Sequence, residues 1–217
     1  MSPWVVFPAW HCCACQILFK APTPILSLYA EEEFGEGVVW SGRVLFVATS
    51  CLALTAVVWG WIIDRVSPFR VMLFSSIALP LVSLTVGPIP PLSPSKSQLF
   101  LALCNVAVLV PPGCITAMAA MIQAYQIHHS TTEISPQVSS FLVSIYCASY
   151  ASGVFLGFTL SGVVSKYLSF RYTNIFMSCV FFLETVVCVV YCVVLEKRGK
   201  RVRDVVIELP AAKVDNE

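Results

Sequence analysis

The 217-residue chain is 58% hydrophobic and 12% charged, with a mean hydropathy of +0.83. That balance excludes a soluble globular domain and points to an all-α membrane protein. A formal net charge of +1 gives no field for nucleic acid, and no phosphate loop, nucleophile elbow or convincing metal-ligand spacing supports an enzyme or a cofactor.

Met1 to Phe19 is apolar but interrupted by Pro3 and Pro8, and it lacks the basic start of a signal peptide. His11-Cys12-Cys13-Ala14-Cys15 lacks the two separated ligand pairs of a zinc module, so a buried or fatty-acylated cysteine cluster without metal is expected. Lys20, Pro22 and Pro24 break the segment and Pro24 to Ala30 continues it, making residues 1–30 an N-terminal segment that ends in the first transmembrane helix. Glu31, Glu32, Glu33 and Glu36, with Gly35 and Gly37, form an acidic loop, expected to be a solvated link on the non-cytoplasmic side.

Val44 to Ile63 contains no ionisable residue and reaches the roughly 20 residues that cross a hydrocarbon core. A second run, Val71 to Ile89, follows after a charged hinge. So short a hinge joins antiparallel neighbours, and Arg65 and Arg70 put it in the cytoplasm. Asp64, in the last turn of the first run, faces the negative end of the helix dipole and needs a cation or a helix N-terminus nearby. Gly60 is expected to let a neighbouring helix approach, and Pro68 restricts the link.

Gly60, Asp64, Arg65 and Arg70 together resemble the cytoplasmic loop motif of the major facilitator superfamily. The surrounding stretches Pro24-Ile25-Leu26-Ser27-Leu28-Tyr29, Gly87-Pro88-Ile89-Pro90, Ser97-Gln98-Leu99 and Gly153-Val154-Phe155-Leu156-Gly157 are similar to the C-terminal half of vesicular amine transporters, nearest their polyamine branch. The resemblance covers about Pro22 to Arg198. It implies one six-helix half of a major facilitator fold, with the hinge as a conformational latch. It further implies proton-coupled exchange of a small organic cation or amine in a vesicular or plasma membrane. A second six-helix half, or another copy of the chain, is the implied partner, because the substrate site of this superfamily lies between two halves. Thr23 stands where the family carries an acidic residue and Phe158 where it carries a proline, so neither family feature is carried over.

Pro88 to Pro94 is expected to be a loop. The next span, Gln98 to Ile122, holds Pro111-Pro112-Gly113 near its middle and Asn105 about two turns earlier. A double proline frees carbonyls at membrane depth, either in a broken helix beside the substrate pathway or in a kink packed between neighbours. Gln123 to Pro136, with His128, His129 and Glu133, reads as a solvated loop.

Val138 to Val164 carries Tyr146, Tyr150, Gly153 and Gly157 on one stripe. The glycines suit close helix packing; the tyrosines suit either a cation–π surface for an amine or ordinary packing. In the last span, Tyr172 to Val194, Glu184 lies near the centre. A carboxylate there must face the bundle and be protonated or paired, either as part of the substrate pathway or as a neutral hydrogen-bonded acid. Residues 31–195 thus form the transmembrane bundle and 196–217 a basic cytoplasmic tail, whose Lys197, Arg198, Lys200, Arg201 and Arg203 can also hold anionic lipid. Two functions remain open: a half-transporter, and a multi-span interaction or scaffold protein without transport.

Overall fold

The computed structural model describes residues 3–87, 95–129, 131 and 134–214. They form seven helices: α1 (Pro3–Lys20), α2 (Leu26–Phe34), α3 (Val38–Ile63), α4 (Pro68–Ser83), α5 (Lys96–His129), α6 (Pro136–Ser165) and α7 (Phe170–Val214). The expected loop at 88–94, Glu133 and the side chains of the basic tail beyond Lys197 lie outside the described residues.

Among the described residues four helices are long and apolar enough to cross a membrane: α3, α5, α6 and the Phe170–Leu195 part of α7. Their outer faces agree with that reading, since Phe46 is 74% exposed, Val57 77% and Leu183 71%. Apolar exteriors this continuous are costly in water and neutral in lipid. The chain is therefore an all-helical bundle of membrane type. α4 is apolar but only 16 residues long, ending at Ser83 where the sequence reading carried the run to Ile89.

Most of the N-terminal segment, the least regular in sequence, is one helix, α1, at the centre of the bundle. α1 packs along α5 and α6 and also touches α4 and α7. Cys12 and Cys15 are fully buried and Cys13 nearly so, which leaves no room for an acyl chain and resolves the cysteine cluster as core. After the turn that holds Pro22 and Pro24, α2 ends at Gly35, whose φ of 65° is the left-handed conformation that closes a helix C-terminus onto Ala30 O and Glu31 O.

Ion pairs mark one end of the bundle. Lys96 Nζ lies 2.6 Å from Glu36 Oε1, and an Arg171 guanidinium nitrogen 3.3 Å from Glu33 Oε1, so the acidic stretch meets the starts of α5 and α7; Glu31 to Glu33, expected in a loop, are in the last turn of α2. At the other end the Tyr191 hydroxyl donates to Trp4 O at 2.5 Å and its ring meets Phe69. The α3–α4 hinge and the far part of α7 therefore share that end.

Three glycines allow the close packing. A Cβ on Gly153 would collide with the Cys13 backbone, and one on Gly157 would lie 3.0 Å from Ile17 O, so the α6 stripe seats directly on α1. A Cβ on Gly113 would come within 2.6 Å of Cys15 Sγ. Gly60 departs from expectation: it has nothing within 4 Å, so it makes no close helix contact in this bundle.

The proline pair does not break the helix, which leaves the reading in which it packs between neighbours. α5 runs unbroken through Pro111 and Pro112 for 34 residues. Pro112 has no N–H for Val108 O, one turn earlier. The indole N–H of Trp59, from α3, donates to that carbonyl at 3.1 Å. Neighbours that satisfy freed carbonyls are what make intramembrane proline tolerable. His128 and His129, expected in a loop, form the last turn of the same helix; hydropathy marks where the lipid ends, and the helix extends past it.

Two stability outcomes follow. Gly153→Ala is expected to destabilise the bundle by about 1–3 kcal/mol through overpacking, whereas Gly60→Ala should be neutral or stabilising by up to about 1 kcal/mol; thermal melts in detergent check the contrast, and equal effects would contradict the α1–α6 seat. Trp59→Phe should cost about 1–3 kcal/mol by orphaning the Val108 carbonyl. In a Pro112→Ala background the new backbone N–H takes over, so the same substitution should cost clearly less.

Candidate functional site

A polar cluster lies where α1, α4, α5 and α7 meet, in surroundings that are otherwise apolar. Its centre is His11, which faces away from solvent because α1 is enclosed by the bundle and because Gly113 leaves space beside it, with His11 Nε2 3.4 Å from where a Cβ would stand. His11 Nδ1 lies 2.9 Å from Glu184 Oε1. On the other side of the ring, Nε2 lies 3.4 Å from Ser75 Oγ and 3.6 Å from Cys15 Sγ.

The Ser75 hydroxyl donates to Met72 O at 3.0 Å, which leaves its oxygen as an acceptor for His11 Nε2–H. In that tautomer Nδ1 presents a lone pair to a carboxylate oxygen, and two acceptors at 2.9 Å need a cation between them. Charge leads to the same requirement. A neutral imidazole with an ionised Glu184 leaves one negative charge in a dry core, a cost of several kcal/mol that one bound proton removes. The pair thus requires one proton between imidazole and carboxyl. Among the described residues Glu184 Oε2 has no hydrogen-bond partner.

Neighbouring contacts fix the frame. Thr185 donates to Ser76 O at 2.5 Å and so ties α7 to α4 beside the pair. Gln16 Nε2 donates to Cys114 Sγ at 3.0 Å across α1 and α5, while Gln16 Oε1 is another buried acceptor without a partner among the described residues. Cys188, one turn beyond Glu184, is fully buried, and its Sγ lies 3.9 Å from Cys192 Sγ.

Of the residues expected on a substrate pathway, Glu184 is in this cluster, and Pro111 and Pro112 are buried on the adjoining turn of α5. The others do not converge with it. Asn105 is exposed on the outside of α5, Tyr150 is 40% exposed, and Tyr146 is half-buried against the α1–α5 core. At the hinge Asp64 is the exposed C-cap of α3, the Arg65 guanidinium sits over the Trp61 ring at 3.9 Å, and Arg70 is exposed on the first turn of α4. Sequence reasoning missed His11 as the partner of the carboxyl and Ser75 as the group behind the imidazole. The available signal was an imidazole inside an apolar helix, matched in kind to a carboxyl that required company.

Removing one member of a buried pair strands the other, at a cost of about 3–5 kcal/mol, while replacing both with apolar groups can be close to neutral. His11→Leu is therefore expected to destabilise strongly, and His11→Leu with Glu184→Leu to melt nearer the native protein than His11→Leu alone. Additive losses in that cycle would mean that the two side chains do not interact.

No family model matches the chain and no curated protein matches it, so what it does has to be read from these side chains.

Proposed function

We propose that the chain is a half-transporter that moves a small organic cation or amine across a membrane in exchange for protons, working with a second six-helix half or with another copy of itself. The observation that carries this reading is the buried His11–Glu184 contact. A scaffold gains little from a carboxyl in its dry core, whereas a proton-coupled carrier needs a group there that exchanges one cation for another. Six spans follow if α1 and α2 count as one span bent at the Pro22–Pro24 turn. α3 and α6 bury least of their apolar surface, which suits helices that meet a partner half. Asn105, Tyr146 and Tyr150, exposed or half-exposed on α5 and α6, would then complete a substrate surface across that junction. Asp64, Arg65 and Arg70 would act as the latch at its edge, with Gly60 one turn before them.

The competing reading, a multi-span interaction protein without transport, has one observation in its favour: Asn105 and Tyr150 lie apart from Glu184. Uptake separates the two. The purified chain, with its mass in detergent measured, is placed in proteoliposomes with an imposed pH gradient and offered spermine, spermidine and a monoamine. Saturable, gradient-driven uptake is expected from an assembled pair of halves and not from a monomer, and Glu184→Gln should abolish the gradient dependence. Uptake by a demonstrated monomer would refute the need for a second half. Absence of uptake by every assembled form would favour the scaffold.

A further inference from the structure

We propose that His11, Glu184 and Cys188 form a buried site for a divalent transition-metal ion of the zinc type. One ligand atom from each, the imidazole Nδ1, a carboxylate oxygen and the thiol sulfur, lies within 4.8 Å of the other two, and all three residues are buried. Zinc takes nitrogen, oxygen and sulfur at about 2.0–2.3 Å. A tetrahedral ion would therefore set its ligands about 3.3–3.6 Å apart, close to the 2.9 Å already separating Nδ1 from Oε1 and within small side-chain rotations for the sulfur.

Three further features point at an ion. Glu184 has an oxygen, Oε2, that is buried without a hydrogen-bond partner among the described residues, on a side chain only 7% exposed. Ser75 stands 3.4 Å behind the imidazole at Nε2, the place of the outer-shell acceptor that orients a metal-bound histidine and keeps its other nitrogen open. Charge closes as well: a divalent ion with one carboxylate, one thiolate and a neutral imidazole sums to zero, the condition for residence in an apolar core. Binding releases two protons, one from the Cys188 thiol and one held by the His11–Glu184 pair. The mixed nitrogen, oxygen and sulfur donors select against magnesium and calcium.

The inference does not depend on transport, since binding is read without uptake. The full chain is purified in detergent, stripped with chelator and titrated with cobalt(II) as the optical stand-in for zinc. One equivalent is expected to bind, with the intense visible bands of tetrahedral cobalt and a sulfur-to-metal charge-transfer band. Cys188→Ser should remove the charge-transfer band, Ser75→Ala should lower affinity about 10–100-fold, and Cys12→Ser and Cys13→Ser should change neither. Loss of the band on Cys12→Ser or Cys13→Ser, with retention on Cys188→Ser, would move the metal to the N-terminal cysteines and overturn the assignment. Two measurements need no variant. Zinc should release two protons per equivalent, and X-ray absorption of the zinc-bound chain should find one sulfur among nitrogen and oxygen neighbours. Two or more sulfurs, or no stoichiometric binding, would overturn it.

Discussion

A carboxyl group in a dry helical core must be neutralised where it stands, and much of this bundle is arranged so that it can be. Glu184 is on α7, and the imidazole that meets it is on α1. For that contact to form, α1 has to lie inside the bundle, against α5 and α6, and within reach of α4 and α7. An 18-residue helix with His11 and Gln16 on its faces is then shielded from lipid by its more apolar neighbours. A helix that carries a buried imidazole and a buried amide thus occupies the centre, the inverse of the arrangement in a soluble protein.

Close approach is what makes the enclosure dry. Gly153 and Gly157 bring the backbone of α6 onto that of α1, and Gly113 admits the Cys15 and His11 side chains beside α5. With no hydrophobic drive between helices in lipid, such contacts rest on van der Waals fit and on a few hydrogen bonds between helices. Thr185 to Ser76 O, Trp59 to Val108 O and Tyr191 to Trp4 O supply bonds of this kind, each joining a different pair of helices.

The long apolar helices were legible in the sequence because hydropathy reports lipid contact directly, and α3, α5, α6 and the first part of α7 fall where the apolar runs do. Their ends were not. α5 starts at Lys96 and continues to His129 because backbone hydrogen bonding does not stop at the membrane surface. Gly153 and Gly157 were readable from their four-residue spacing. Gly60 looked similar in isolation, but whether a glycine is approached depends on which helix lies opposite, and nothing lies there. Glu184 was readable as an interior residue from its cost alone. His11 was not, since its partner is 173 positions away and no local pattern encodes a contact between α1 and α7. The continuity of α5 was hidden for the same reason, because the donor that serves Val108 O belongs to α3.

The central position of α1 bears on how the chain enters a membrane during synthesis. α3 is long, apolar and free of ionisable residues from Val44 to Ile63, so it can insert alone and wait for α5. α1 is not among the helices apolar enough to cross by themselves, and the helices it packs along, α5 and α6, begin only at Lys96 and Pro136. Until they emerge, His11 and Gln16 have neither a partner nor cover. α1 therefore depends on later helices to hold it at depth, and α7, which carries Glu184, emerges after the helices α1 packs along.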